Sequence, residues 1–197
     1  MIYSKTISNS VIDTITVIYS IKNNTTTINE IILSDEDNSS IEKSIKKYGS
    51  LEEKDNEIIN SLVNKLNKYF NGEDVKFSFD YLNFDNLTDF QKKVLLEAYN
   101  IEKGTTKTYR EVAIAIDRPK AYRAVGHALS INPYPIIIPC HRVIKQDKSI
   151  GGFGGIGTGL KYKSNLLSLE GNLITNKKLV SNSKLTSYNK NNQTKLM

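Results

Sequence analysis

Cys140 is the only cysteine in a chain of 197 residues, and it stands in the run Pro139-Cys140-His141-Arg142-Val143 beside one of only two histidines. Those residue types in that order suit a nucleophilic thiol. The thiolate is the attacking form, an adjacent His and Arg favour it, and Pro139 restricts the backbone on both sides. A lone cysteine is otherwise most often a small buried hydrophobe. In an extended segment successive side chains point to opposite faces, so His141 is badly placed to bond Cys140 directly and a bridging water resolves the distance. One cysteine permits no internal disulfide, and with His127 and His141 alone it does not assemble a zinc cage. The spacing of a carboxylate metal loop is also missing. The glycines flanking Phe153 follow no clear strand into a phosphate-binding helix, which argues against a dinucleotide motif. These residues imply a site without cofactor or metal. A cysteine hydrolase brings Cys and His together from distant segments, and only His127 is available for that.

The elements that must position this segment divide the chain in two. Val11, Ile15 and Val17 alternate among Thr and Asp, Lys22-Asn23-Asn24-Thr25 reads as a turn, and Ile28 to Leu33 completes a hairpin. Ser50 with Glu53 forms a capping-box pattern, which predicts a helix from Leu51 through Ile58, Leu62, Leu66, Tyr69 and Phe70 to the stop at Asn71-Gly72. Val75 to Phe84 alternates again, as a strand or extended linker. From Leu87 the pattern turns helical. Thr88/Gln91 and Thr108/Glu111 are further capping boxes, and a third helix is expected from near Pro119 to about Ile131, where Asn132-Pro133 ends it. The last two helices make a helix-turn-helix candidate, a weak signal by itself. A final helix is expected over Tyr162 to Glu170. The expected organisation is α+β: a small N-terminal α/β domain over 1–83, an all-helical C-terminal domain with a helix-turn-helix over 84–171, and a disordered basic tail over 172–197.

Charge follows the same division. Residues 1–86 carry nine Lys/Arg against fourteen Asp/Glu, residues 102–148 carry nine against four, and residues 172–197 carry five lysines and no acid. The positive half suits a phosphate backbone, with plain solubility as the alternative. No run of eighteen apolar residues occurs, and the first thirty residues lack a signal-peptide pattern, so a soluble intracellular (cytoplasmic) protein without membrane contact is expected.

The cysteine segment resembles the active-site signature of the O6-alkylguanine-DNA alkyltransferases. The likeness runs from about Leu87 to Gly171 through Thr108-Tyr109-Arg110-Glu111-Val112-Ala113, Arg123-Ala124-Val125-Gly126, Asn132-Pro133 and Leu169-Glu170-Gly171. The resemblance implies a ribonuclease-H-like N-terminal domain and single-use transfer of the alkyl group from O6-alkylguanine in double-stranded DNA to Cys140. It implies that Glu170 holds His141, which polarises a water that deprotonates Cys140, and that Asn132 links the recognition helix to the cysteine segment. Arg123 then intrudes into the base stack from the minor groove, on a helix kept slim by Gly126 and its alanines, and Tyr109 contacts the extruded base. Carbonyls of Cys140 and Val143 accept the guanine amino group, with Arg142 and Phe153 nearby. Phe153-Gly154 stands where the family commonly has Tyr-Ser, so the Gly154 amide is the remaining donor to the leaving oxygen. The protein is expected to act as a monomer. A noncatalytic helix-turn-helix regulator with a structural cysteine remains the alternative from another class.

Overall fold

The computed structural model describes residues 1–35, 37–153 and 159–180. Three strands, β1 (Ile2–Asn9), β2 (Asp13–Lys22) and β3 (Thr25–Leu33), form an antiparallel meander in that order. The β2–β3 connection is the expected tight turn, with Asn23 and Asn24 at φ 49° and 62°. Asparagine tolerates that left-handed backbone, and the resulting twist matches the flanking strands. Val11 lies in the β1–β2 turn, not in a strand.

Two helices cover this sheet, and each departs from the sequence pattern. α1 (Ser40–Tyr48) carries a full Ser39/Glu42 capping box, but turns Ser40 and Ser44 inward and leaves Ile41 and Ile45 exposed. Its inner face is held by hydroxyls: Ser40 Oγ bonds Thr14 and Thr16, both at 2.9 Å. α2 spans Glu57–Phe70 and is capped by Asn56, six residues later than the Ser50/Glu53 pattern indicates. Residues 51–55 are pinned along the sheet instead. The Ser4 amide donates to the Glu52 carbonyl (3.0 Å), the Tyr19 hydroxyl bonds the backbone of Lys54, and Lys5 pairs with Glu53. Val75 to Phe84 contains no strand; it is an extended run with one bridge, Leu82 to Ile28.

The second half is mainly helical. α3 (Asp89–Tyr99) and α4 (Tyr109–Ala115) begin at the predicted capping boxes. α5 is Tyr122–Ser130, starting beyond Pro119 because Arg118 to Ala121 forms a separate turn. Asp117, at φ 58°, terminates α4 and reverses the chain, so that α4 and α5 pack as a helix-turn-helix. A two-residue parallel pairing of β4 (Lys107–Thr108) with β5 (Val143–Ile144) ties the start of α4 to the cysteine segment. α6 is Leu160–Leu169.

The expectation of disorder from 172 does not hold for residues 172–180. β6 (Ile174–Thr175) and β7 (Lys178–Leu179) form a hairpin whose Ile174 and Leu179 pack on Ile144, Ile150 and Leu167. Two apolar residues at the right register supply an anchor that mean composition hides. Residues 181–197 lie outside the described residues. One continuous apolar cluster joins both halves, from Ile15, Val17 and Tyr19 of the sheet through Ile59, Leu66 and Tyr69 to Val94, Val112, Val125 and Leu166. Among the described residues, no helix is long and apolar enough to cross a membrane.

Candidate active site

The cysteine sits at the end of a strained turn. Between Pro133 and Pro139 the chain folds back tightly, the Ile138 amide donating to the Tyr134 carbonyl at 2.8 Å. Ile136, buried and β-branched, is held there at φ 75°. Such a backbone is a genuine outlier for this residue type and persists only where its surroundings over-determine it. Asn132 does much of that. From the end of α5 its Nδ2 donates to the Ile138 carbonyl (2.9 Å) and to Cys140 Sγ (3.2 Å), while its Oδ1 accepts the Tyr134 amide (3.0 Å). Cys140–Arg142 is a turn of 3-10 helix and not the extended chain expected from sequence. The consequence drawn from extended geometry survives in another form: Cys140 Sγ and the His141 ring serve different partners.

His141 is fully buried, and its Nε2 lies 2.9 Å from Glu170 Oε1. Glu170, at the C-terminal end of α6, also accepts from Arg142 through both oxygens, Nε to Oε2 at 2.9 Å and Nη2 to Oε1 at 2.8 Å. A third residue arrives from α2: the Tyr69 hydroxyl donates to Oε1 at 2.8 Å and stands 3.3 Å from Nε2. Burial by itself opposes the Glu170 charge, yet the hydrogen bonds from His141 and Arg142 carry its pKa well below the usual carboxylate range. Burial pushes His141 the other way, below its ordinary value, against the pull of Glu170. The pair therefore rests as carboxylate and neutral imidazole. An ionised carboxylate only accepts, so Nε2 carries the imidazole proton and Nδ1 is left as the basic nitrogen. Nδ1 is buried with no hydrogen-bond partner among the described residues.

Lys163 completes the setting from α6. It is 1% exposed, donates to the Val143 carbonyl at 2.6 Å and the Gly152 carbonyl at 3.3 Å, and stands 5.8 Å from the centroid of the Tyr109 ring. Burial lowers its pKa to about 8, and Cys140 opposes that shift. The Cys140 thiol is raised by burial, with the Asn132 hydrogen bond and the Lys163 charge working against the rise. A buried thiol flanked by an amide donor and an ammonium group can be ionised by a nearby base and can attack an electrophile presented to it. Cys140 borders an open cavity of about 590 Å³ whose wall includes Leu129, Asn132, Pro135, Phe153 and Tyr162. Tyr109 packs its ring against Gly126, where an added Cβ would lie 3.8 Å away, and sets its hydroxyl against Gly151.

The structure thus gathers Cys140, His141, Glu170, Asn132, Tyr109, Gly126, Val143 and Phe153 in one region. Arg142, expected near the substrate, bonds Glu170 and the Ile101 carbonyl (2.5 Å). Its reason is electrostatic: the buried carboxylate needs a compensating cation. The Cys140 and Val143 carbonyls already accept from the Val143 amide and Lys163, each keeping a second lone pair. Arg123 stands apart on the exposed side of α5, over the Tyr122 ring at 5.9 Å. Gly154 lies outside the described residues. Sequence reasoning missed two contributors. Lys163 left a signal, a lysine at apolar spacing with Leu166 and Leu167; Tyr69 looked like any core aromatic of an amphipathic helix. Among the described residues, no group of three or more His, Cys, Asp or Glu could hold a metal ion.

Residues 2–82 match the family described as 6-O-methylguanine DNA methyltransferase, ribonuclease-like domain, and residues 89–172 match its DNA binding domain. A methylated-DNA–protein-cysteine methyltransferase of Methanosarcina barkeri is 46% identical over 108 residues, 55% of this chain and 65% of that protein, so the match spans just under two thirds of the relative's length. The Sulfolobus acidocaldarius protein of the same name is 40% identical over 117 residues, 59% of this chain and 70% of the relative. The crystal structure of Mycobacterium tuberculosis OGT in complex with DNA superposes with a TM-score of 0.64 at 29% identity, covering 86% of this chain and 91% of that one.

The resting state predicts a pH dependence of stability. Folded His141 resists protonation, whereas an unfolded histidine takes a proton near pH 6.5, so the unfolded chain binds more protons as pH falls below that value and stability declines. The urea midpoint should therefore drop as pH falls through about 6, and His141→Gln should flatten that part of the curve. An unchanged slope in the variant would show that His141 is not the group responsible.

Proposed function

The chain belongs to the 6-O-methylguanine DNA methyltransferase family, and on that premise we propose that it repairs DNA by moving the alkyl group of O6-alkylguanine onto Cys140. The observation that carries the reading is Cys140 Sγ at a cavity wall, bonded by Asn132, next to a histidine whose other face is fixed by Glu170. In the proposed reaction His141 Nδ1 takes the thiol proton through a bridging water. The thiolate attacks the alkyl carbon, a carbon–sulfur bond forms, and the carbon–O6 bond breaks. Guanine departs as its anion and regains a proton, which balances the one the thiol gave up. The product is a thioether, which water does not readily cleave, so each molecule acts once.

Lys163 supports the thiolate electrostatically without touching it, and Asn132 steadies Sγ by its amide donor. A stacked guanine cannot reach a buried sulfur, so the base is extruded, and Arg123 fills the gap from the minor groove on a helix whose small residues allow close approach. The contacting surface is basic: Arg110, Arg118, Lys120 and Arg123 are all on or between α4 and α5. We assign the reacting and DNA-contacting residues to 84–171 and a supporting role to 1–83, and read the protein as a monomer that works on DNA inside the cell. No cofactor enters this scheme, since the donor is the lesion and the acceptor is the protein.

Incubation with duplex DNA containing O6-methylguanine should add one methyl per chain, located on Cys140 by intact-mass and peptide analysis. Absence of transfer would overturn the assignment, and sustained turnover would refute single use. A second measurement addresses extrusion. Arg123→Ala should slow repair of duplex DNA far more than reaction with free O6-benzylguanine; equal losses on the two substrates would remove the wedge role.

A further inference from the structure

Tyr69 belongs to the half of the chain that holds none of the site residues expected from sequence, yet it ends inside the Glu170–His141 pair. Its ring is located by apolar packing, edge-on to Phe70 at 5.3 Å and to Phe77 at 6.1 Å between centroids. The hydroxyl position is therefore set by α2 and the segment after it, independently of the groups it bonds. A phenol has one proton to donate, and here the hydroxyl donates it in a hydrogen bond to Glu170 Oε1 at 2.8 Å. The phenol oxygen then turns its lone pairs toward Nε2–H of His141, 3.3 Å away.

Arg142 grips Glu170 from one side through both oxygens. That grip fixes the carboxylate relative to the guanidinium, not relative to the imidazole. Tyr69 supplies the second point of attachment, on the oxygen that faces Nε2. Once His141 accepts a proton, an imidazolium stands fully buried, and its charge is tolerable only if Oε1 stays in line with Nε2–H. Burial and the Glu170 charge raise the Tyr69 pKa far above its ordinary value, so the hydroxyl remains a donor throughout and does not itself exchange protons with the pair.

We propose that Tyr69 is a positioning residue for the transfer reaction, its hydroxyl holding Glu170 and His141 in the alignment that lets His141 take the Cys140 proton. This rests on the reaction assigned above and adds to it that the N-terminal half sets the reactivity of the cysteine. A tyrosine that merely filled the interface would affect stability and leave the ionisation of Cys140 alone.

The test uses the full chain and Tyr69→Phe, which keeps the ring and removes only the hydroxyl. Alkylation of Cys140 by iodoacetamide, followed by intact mass across the neutral and alkaline range, reports thiolate formation without DNA. The inflection of the rate profile should move up by about one pH unit, making the variant about tenfold slower near neutrality, with affinity for undamaged duplex unchanged. Methyl transfer from O6-methylguanine DNA should slow by a similar factor. In a Glu170→Gln background, adding Tyr69→Phe should produce no further shift, because both changes act through one contact. A profile that superimposes on wild type, or a shift that persists undiminished in the Glu170→Gln background, would overturn the role of Tyr69. Failure of wild type to take up a methyl group would instead strike the assigned reaction, and the iodoacetamide comparison would still stand.

Discussion

The buried carboxylate of Glu170 is the constraint around which this structure is arranged. A charge removed from water is costly unless hydrogen bonds and a countercharge replace its hydration. Here four donor atoms do so, from Tyr69 of α2, His141 and Arg142 of the cysteine turn. Because Tyr69 lies 72 residues before His141 and Glu170 a further 29 beyond it, folding brings the sheet-bearing half, the cysteine turn and the final helix together at one ionised group. Loss of any one donor leaves the others facing an under-compensated charge, which is why the site and the interface between the halves are a single object energetically.

That arrangement also divides labour along three consecutive residues. In a 3-10 turn Cys140 faces Asn132 and the cavity, His141 faces Glu170, and Arg142 reaches past His141 to the same carboxylate. The strained Ile136 backbone and the Asn132 hydrogen bonds hold this turn against α5. Under the proposed reaction, the nucleophile and its base are thereby coupled without being in contact, and Lys163 supplies a field at the sulfur while remaining bonded to backbone carbonyls.

What could be read from the amino acids and what could not follow from the range of the interactions involved. Capping boxes at Thr88 and Thr108 are local, satisfied by atoms three residues away, and both appear as expected. The Ser50/Glu53 pattern obeys the same local rule but loses to tertiary contacts, since Tyr19 and Ser4 hold residues 52–54 extended. α1 was invisible to an apolar period because its inner face is serine, satisfied by hydroxyls of distant strands. At the site, the Pro139–Val143 run was legible as chemistry and by resemblance, and Glu170 by resemblance alone. The Arg142–Glu170 pairing and the Tyr69 contact escape the sequence for one reason: their partners lie 28 and 101 residues away, where no spacing rule reaches. Lys163 was the exception, a charged residue on an apolar helical face that marked its own burial.

The proposed reaction requires that His141 rest neutral, with its proton on Nε2 toward Glu170 and Nδ1 available to act as base. The ring nitrogens of His141 can be observed directly by 15N NMR at neutral pH, using His127→Gln to leave a single histidine. The spectrum should show one protonated nitrogen, Nε2, coupled to its neighbouring ring protons, and an unprotonated Nδ1. A ring protonated at Nδ1, or an imidazolium at neutral pH, would contradict it.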